Sequence, residues 1–496
     1  MNKLILVSTI LLLPGCALKD ASNPYCKAPM NPTSIWVAPK TALTRIHIIE
    51  ENVTNKTVIE KLSETTPLTL AEIIDIALMA NPDTKKSWAN AREEAAVFGQ
   101  SLKNYFILAT LNGKYDLERR RQYSTRTFQN HIDFYDRDYG AEIDLSYILL
   151  DFGQTRYSSK AALEALFSAD WSHNSVLQKT MKSVMDDFYN YLLEQQLLKA
   201  QEMDLINAEV TLESTQEKFK LGLADVSDVV QATTSYLKQQ LDLVSQEQST
   251  HQAYTLIVEN MGYSSDAQFV FQNFPKEVLT FTPEKLDSLI EKAVINRPDL
   301  LSKESTVKSK EAALKASKLS RLPVVNTSLD LARLYYHEPM VGTGLTKYTT
   351  TISLSLPLFQ GFYISNAIKK GQSQLTAALS DLKKLRLEIE QEVSNYRVSV
   401  ILSKKALKYA KAYLESANED YAVYLDKYRA GTTNIVDLIQ AQTAVSDARA
   451  KKAKSEQQWY SSVADLTYSL GLLLPSRVSS DQARLKLGES ESEKAY

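Results

Sequence analysis

The 496-residue chain repeats itself, and that repeat limits what it can fold into more than any single motif does. Residues 218–232 read KFKLGLADVSDVVQA and residues 427–441 read KYRAGTTNIVDLIQA. At one constant offset Lys218 answers Lys427, Phe219 answers Tyr428, and Gly222, Val226, Asp228, Gln231 and Ala232 answer Gly431, Ile435, Asp437, Gln440 and Ala441. Two further landmarks recur in step. Asn81-Pro82-Asp83 has its counterpart in Arg297-Pro298-Asp299, and Leu149-Leu150-Asp151-Phe152-Gly153 in Pro357-Leu358-Phe359-Gln360-Gly361. The expectation is an internally duplicated chain, each copy about two hundred residues of helix, strand, strand, long helix, turn and helix.

Proline is placed so that long helices can form. There are 14 Pro and 14 Gly, yet no Pro falls between Pro82 and Pro275 or between Pro357 and Pro475. An internal Pro costs a helix about 3 kcal/mol and a Gly about 1. Over residues 155–216, Val184, Phe188, Tyr191, Leu198 and Leu205 fall at the mixed spacings of a coiled-coil seam. At about 1.5 Å per residue such a helix reaches roughly 90 Å. The returning helix, 226–262, is shorter, and an opening helix over 68–102 supplies the missing length. Two short helices stacked beside one long one is the expected arrangement, repeated with 360–425, 435–474 and 283–319.

Between these helices the hydrophobic period changes to two. Tyr139, Ala141, Ile143, Leu145, Tyr147 and Leu149 share a face opposite Gly140, Glu142, Asp144, Ser146 and Ile148. In the second half Ile352, Leu354, Leu356 and Leu358 oppose Thr351, Ser353, Ser355 and Pro357, while Val325, Thr327, Leu329 and Leu331 oppose Asn326, Ser328, Asp330 and Ala332. With 107–117 these make four amphipathic strands of about ten residues, the length a tilted strand needs to cross hydrocarbon. An open four-stranded sheet cannot sit in lipid, where every backbone group needs an internal partner. Closure requires several copies: two would supply eight strands around a filled interior, three would supply twelve and room for a lumen. A soluble sandwich with one wet face is the competing reading. Of the 26 Tyr, Tyr105, Tyr115, Tyr123, Tyr135, Tyr139, Tyr335, Tyr336 and Tyr348 flank the strands, where an interfacial girdle would sit.

The amino terminus joins Lys3 to an apolar run ending at Leu13, a signal-peptide core too short to span a membrane. Leu13-Pro14-Gly15-Cys16 resembles the lipobox of bacterial lipoproteins, which implies that Cys16 is acylated after removal of residues 1–15. An ordinary signal cleaved near Ala17 is the alternative. Residue 17 is Ala, whereas Asp there marks inner-membrane retention in enterobacterial lipoproteins, so delivery to the outer membrane is expected. Cys26 is then the one remaining thiol, and no internal disulfide can form. The formal net charge of -2, with acids and bases interspersed, offers no basic face to nucleic acid. The five His make no HExxH or paired spacing, and no P-loop or nucleophile elbow is present. No enzyme, metal site or cofactor is expected.

The paired turns 222–228 and 431–437, the strand end 356–361 and the Asn81-Pro82-Asp83 and Arg297-Pro298-Asp299 signatures resemble the TolC-type outer-membrane efflux proteins, over about residues 67–474. The resemblance implies an α+β membrane protein: a homotrimer whose four strands per chain close a twelve-stranded transmembrane barrel, continued by a long α-helical periplasmic tunnel. It implies a passive exit duct for small molecules, driven by an inner-membrane pump and joined to it by a periplasmic adaptor. An acylated Cys16 would place the chain in the branch that serves resistance-nodulation-division pumps. The division expected is 1–15 signal peptide, 16–66 anchor and equatorial segment, 67–262 first repeat, 263–281 linker, 282–474 second repeat, and 475–496 equatorial tail. A lipid-anchored coiled-coil scaffold or adhesin without a pore is the alternative, although such a scaffold needs neither the strands nor the turns.

The same resemblance assigns the candidate site. Gly222, Leu223, Gly431 and Thr432 form the tip turns where the adaptor docks, and Asp228 and Asp437 face the pore as periplasmic gate residues. Repeated carboxylates would favour cations and hold one another's charge in tension. An Asp in the first turn of a helix can instead simply complement the macrodipole. The chain departs from the family pattern at Gln440, where a second gating Asp is expected, and at Thr433, where an Arg would tie the closed tip.

Overall fold

The computed structural model describes residues 20–37, 67–123, 131–273, 284–338 and 341–473. Cys16, the expected signal peptide, residues 38–66 and the tail 475–496 lie outside the described residues. In chain order the elements are α1 (Leu70–Ala80), α2 (Pro82–Ser101), β1 (Leu108–Tyr123), β2 (His131–Leu150), α3 (Gln154–Lys220), α4 (Val226–Asn260), α5 (Leu286–Asn296), α6 (Pro298–Leu319), β3 (Val324–Glu338), β4 (Val341–Ser355), α7 (Tyr363–Arg429) and α8 (Ile435–Ser469). The two series match in length: α1 and α5 have 11 residues each, α3 and α7 67 each, and α4 and α8 35 each. Among the described residues no helix is long and apolar enough to cross a membrane.

The opening helix expected over 68–102 is two helices, because Pro82 has no N–H to continue the α1 ladder. A capping box starts α1, with Glu72 accepting from the Thr69 N–H at 2.9 Å and Thr69 Oγ1 accepting from the Glu72 N–H at 3.3 Å. At the break Asn81 Oδ1 accepts from the Asp83 N–H at 2.8 Å, which starts α2. Pro298 divides α5 from α6 in the same way. There Arg297 forks onto Asp299 at 3.0 and 2.6 Å and reaches Glu392 at 2.5 Å.

Residue contacts divide the chain into two compact units. The first, from 89–170 and 301–383 with residues up to 30, holds the sheet. Its strands lie antiparallel in chain order β1-β2-β3-β4, so β1 and β4 are the edges. The strands run 15 to 20 residues, longer than the apolar alternation alone indicated. The register places Leu111, Ile143, Leu331 and Tyr348 in one row, and Asn112, Glu142, Ala332 and Lys347 in the next, on the other face. The first face stays exposed: Leu111 is 72% exposed, Ile352 71% and Leu354 69%. Glu142, Asp144 and Asp330 on the opposite face are half-buried. Beneath the sheet, Ala28, Ala95, Phe98, Leu102 and Leu166 form an apolar cluster.

The second unit, from 31–88, 171–300 and 384 onward, holds the tip turns. Leu78, Leu177, Met181 and Leu473 make one cluster in it. The segment ending at Val37 is strapped to α3, with the Asn174 amide accepting from the Trp36 N–H at 2.8 Å and donating to its carbonyl at 2.6 Å. Where α4 and α8 end, Gly262 and Gly471 abut the two proline breaks. A Cβ on Gly262 would stand 2.8 Å from the Ala80 backbone, and one on Gly471 2.7 Å from that of Asn296.

Candidate gate and docking turns

Each long helix closes with the same hydrogen-bond pattern. Leu223 N–H donates to the Lys218 carbonyl at 2.8 Å and Gly222 N–H to that of Phe219 at 3.0 Å; Thr432 and Gly431 do likewise to Lys427 at 2.9 Å and Tyr428 at 3.1 Å. These are Schellman closures, which place the penultimate residue in the left-handed region. Gly222 has φ 72° and Gly431 φ 73°, with nothing within 4 Å of an added Cβ. Backbone conformation rather than lack of space therefore selects glycine. Leu223 is 74% exposed and Thr432 is exposed, so both expected docking residues face outward in the single chain.

The two candidate gate carboxylates sit three residues after the helix N-caps. Asp228 Oδ2 accepts from the Asp225 N–H at 3.3 Å. Asp437 is more fully held: its N–H donates to Asn434 Oδ1 at 2.9 Å, and its Oδ2 accepts from Thr433 Oγ1 at 2.7 Å. Thr433 thus ties Asp437 within its own chain. Both carboxylates are half-buried, while Gln440 is exposed. Asp228 thus closes a capping box with Asp225, whereas at the second turn Asn434 is the cap and the Asp437 carboxylate is held by the Thr433 hydroxyl.

Sequence reasoning missed the group that joins the two turns. Lys218 Nζ donates to the Tyr428 carbonyl at 2.5 Å and stands 3.6 Å from the Tyr428 ring centroid. The Tyr428 hydroxyl pairs with Thr215 Oγ1 at 2.9 Å. Burial lowers the pKa of Lys218 from its ordinary value. Ala232, Ile435 and Leu438 complete this buried cluster with Tyr428. The available signal was the difference between repeats: Tyr428 is 6% exposed, whereas its counterpart Phe219 is 43% exposed and lacks the hydroxyl.

Elsewhere, carboxylate oxygens of Glu142, Asp144 and Asp330 lie within 4.8 Å of one another on the polar face of the sheet, and Asn112 donates to Asp144. His173 is buried with Nδ1 2.9 Å from Ser87 Oγ, a packing role rather than a ligand set.

The chain matches the family described as outer membrane efflux protein over residues 73–262 and 289–472, and it belongs to that family. It is 21% identical to protein CyaE of Bordetella pertussis over 84% of this chain and 86% of that one. It is 24% identical to outer membrane protein TolC of Vibrio cholerae over 59% of this chain and 69% of that one. The solved structure of the outer-membrane channel OprN superposes with a TM-score of 0.73 at 17% identity, covering 88% of this chain and 99% of that one. As a member of that family the chain is an outer-membrane efflux protein.

Proposed function

We propose that three copies of the chain assemble a passive exit duct for small molecules. The open sheet carries this reading: β1 and β4 each leave an edge, and lipid tolerates none. Joining β4 of one copy to β1 of the next closes twelve strands, with the exposed apolar rows toward lipid and Glu142, Asp144 and Asp330 toward the lumen. A second feature agrees. Val226, Val230, Leu237, Leu241 and Val244 form a helical seam on α4 that is 56 to 71% exposed in the single chain, and a neighbouring copy would cover it.

In this reading the chain is an internal duplication of residues 67–262 and 282–474, its helices form the periplasmic tunnel, and no catalysis occurs. Asp228 and Asp437 restrict the mouth, and Gly222, Leu223, Gly431 and Thr432 meet a periplasmic adaptor, with an inner-membrane pump of the resistance-nodulation-division type supplying the energy. Cys16 carries lipid, which intact-mass measurement of the mature protein and of Cys16→Ser tests directly. Native mass spectrometry in detergent is expected to give three chains, and planar-bilayer recordings a conducting pore. A stable monomer with its full β content would overturn the duct.

A further inference from the structure

We infer that Arg333 binds a lipid-borne phosphate, the ligand being a phosphorylated glycolipid of the outer leaflet; this rests on the barrel proposed above. The cross-strand register arranges the outward face in rows. Leu111, Ile143, Leu331 and Tyr348 make an apolar row, Gly113, Ala141, Arg333 and Thr346 the next, and Tyr115, Tyr139, Tyr335 and Gly344 the one after. Arg333 is therefore a single cation set between apolar side chains and tyrosines. Its row neighbours Ala141 and Gly113 are small, and they leave a hollow of about 480 Å³ framed by Tyr115, Tyr139, Tyr335 and Arg333.

The arginine is positioned rather than loose. Its Nε donates to the Tyr335 hydroxyl at 2.9 Å, its guanidinium carbon lies 5.6 Å from the Tyr335 ring centroid, and Tyr335 stacks on Tyr139 at 5.4 Å. No acid forms an ion pair with Arg333 among the described residues. The remaining N–H donors form the planar fork that fits a phosphate. A bare guanidinium on the lipid face is unfavourable according to its depth and is tolerated best at headgroup level, which rows of tyrosine mark. Phosphate is the anion found there. Along β1 and β2 the tyrosine row lies at mid-strand, one step past the Arg333 row and two past the Leu111 row on the side away from α2 and α3, and the strands beyond it turn to charged stretches such as Glu118–Arg121; with the helices in the periplasm, the tyrosine row therefore marks the outer-leaflet edge of the apolar band. Arg137, one row further out opposite Leu117, is a second exposed cation on the same face.

The test titrates the purified full-length protein with diphosphoryl lipid A and counts bound lipid by native mass spectrometry. Wild type is expected to hold lipid A, Arg333→Gln to bind it at least about tenfold more weakly, and Arg333→Lys to fall between, because charge stays while the fork is lost. Equal binding by wild type and Arg333→Gln overturns the site. Equal binding of dephosphorylated lipid A, or displacement by inorganic phosphate at the same concentration, overturns a lipid-borne phosphate as the ligand. Insertion into phosphatidylcholine nanodiscs separates the two readings. Variants that insert yet bind lipid A equally refute this site alone, whereas a wild type that fails to insert refutes the barrel and this inference with it.

Discussion

Lys218 of α3 closes over Tyr428 of α7, 3.6 Å from the ring centroid and bonded to the Tyr428 carbonyl. Its counterpart in the other half, Lys427, stays on its own helix, 5.4 Å from the ring of Tyr424. One lysine in two matched turns thus has two jobs. The first links the hairpin α3-α4 to the hairpin α7-α8; the second does not. Tyr428→Phe, which removes the partner of Thr215, should cost about 1 kcal/mol, and Lys218→Met a similar amount. A double-mutant cycle of Lys218→Met with Tyr428→Leu, which removes the ring that Tyr428→Phe keeps, read by thermal midpoint with protease nicking of residues 221–225 as a local probe, should give a coupling of about 0.5–1 kcal/mol. Additive effects would mean that the two residues are merely neighbours.

Gly431→Ala should destabilise the second turn by about 1 kcal/mol, since alanine resists φ near 73° even where there is room for it. Gly431→Asn should cost less, because Asn tolerates that region. Thermal midpoints of the two variants decide; an alanine variant equal to wild type would refute the conformational argument.

Two buried groups on α3 should give stability opposite dependences on pH. Burial without a hydrogen-bond partner on either oxygen pushes Asp170 up to about 8 from 3.8, and burial pushes His173 down to about 4 from 6.5. Between pH 3.8 and about 8 the folded chain keeps a proton on Asp170 that the unfolded chain releases, so stability falls as pH rises through that window. Between about 4 and 6.5 the unfolded chain protonates His173 and the folded chain does not, so stability falls as pH drops. Asp170→Asn should remove the first slope, a gain of a few kcal/mol at pH 8, and His173→Gln the second. Thermal midpoints across pH 4 to 8.5 test both, and unchanged slopes would contradict the assignment.

At the tip, Asp437→Ala should weaken block by divalent cations on the periplasmic side several-fold, and more than Asp228→Ala does, because like charges brought together by symmetry attract cations strongly. Single-channel recordings with unchanged block in the double variant would reduce both residues to helix caps.

Much of this was readable in advance, for identifiable reasons. Long helices follow from missing proline, and the two faces of the sheet follow from alternation at 139–149. The strands nevertheless extend into stretches such as Glu118-Arg119-Arg120-Arg121 and Asp136-Arg137-Asp138, which carry no apolar period. Backbone pairing runs unbroken through these stretches, and it leaves no mark on the apolar pattern. The break at Asn81 was present in the motif but masked by good helix formers on both sides. Lys218 and Tyr428 were visible as repeat partners of other residues, yet their contact depends on which helices become neighbours. Periodicity does not encode that choice. Of the girdle tyrosines, Tyr115, Tyr139, Tyr335 and Tyr348 lie on the exposed face; the side chains of Tyr123, Tyr135 and Tyr336 are outside the described residues.

The approaches of Gly262 to Ala80 and of Gly471 to Asn296 are contacts between peptide groups, and every residue has the same peptide group. A joint of that kind asks for one missing side chain and is indifferent to the identity of its surroundings. Mutations can accumulate on all sides without loosening it, provided the glycine itself is spared. A backbone fastened in this way depends little on the side chains around it. The two proline breaks are therefore held by where the chain permits two stretches of backbone to touch more than by the residues that fill the space between them.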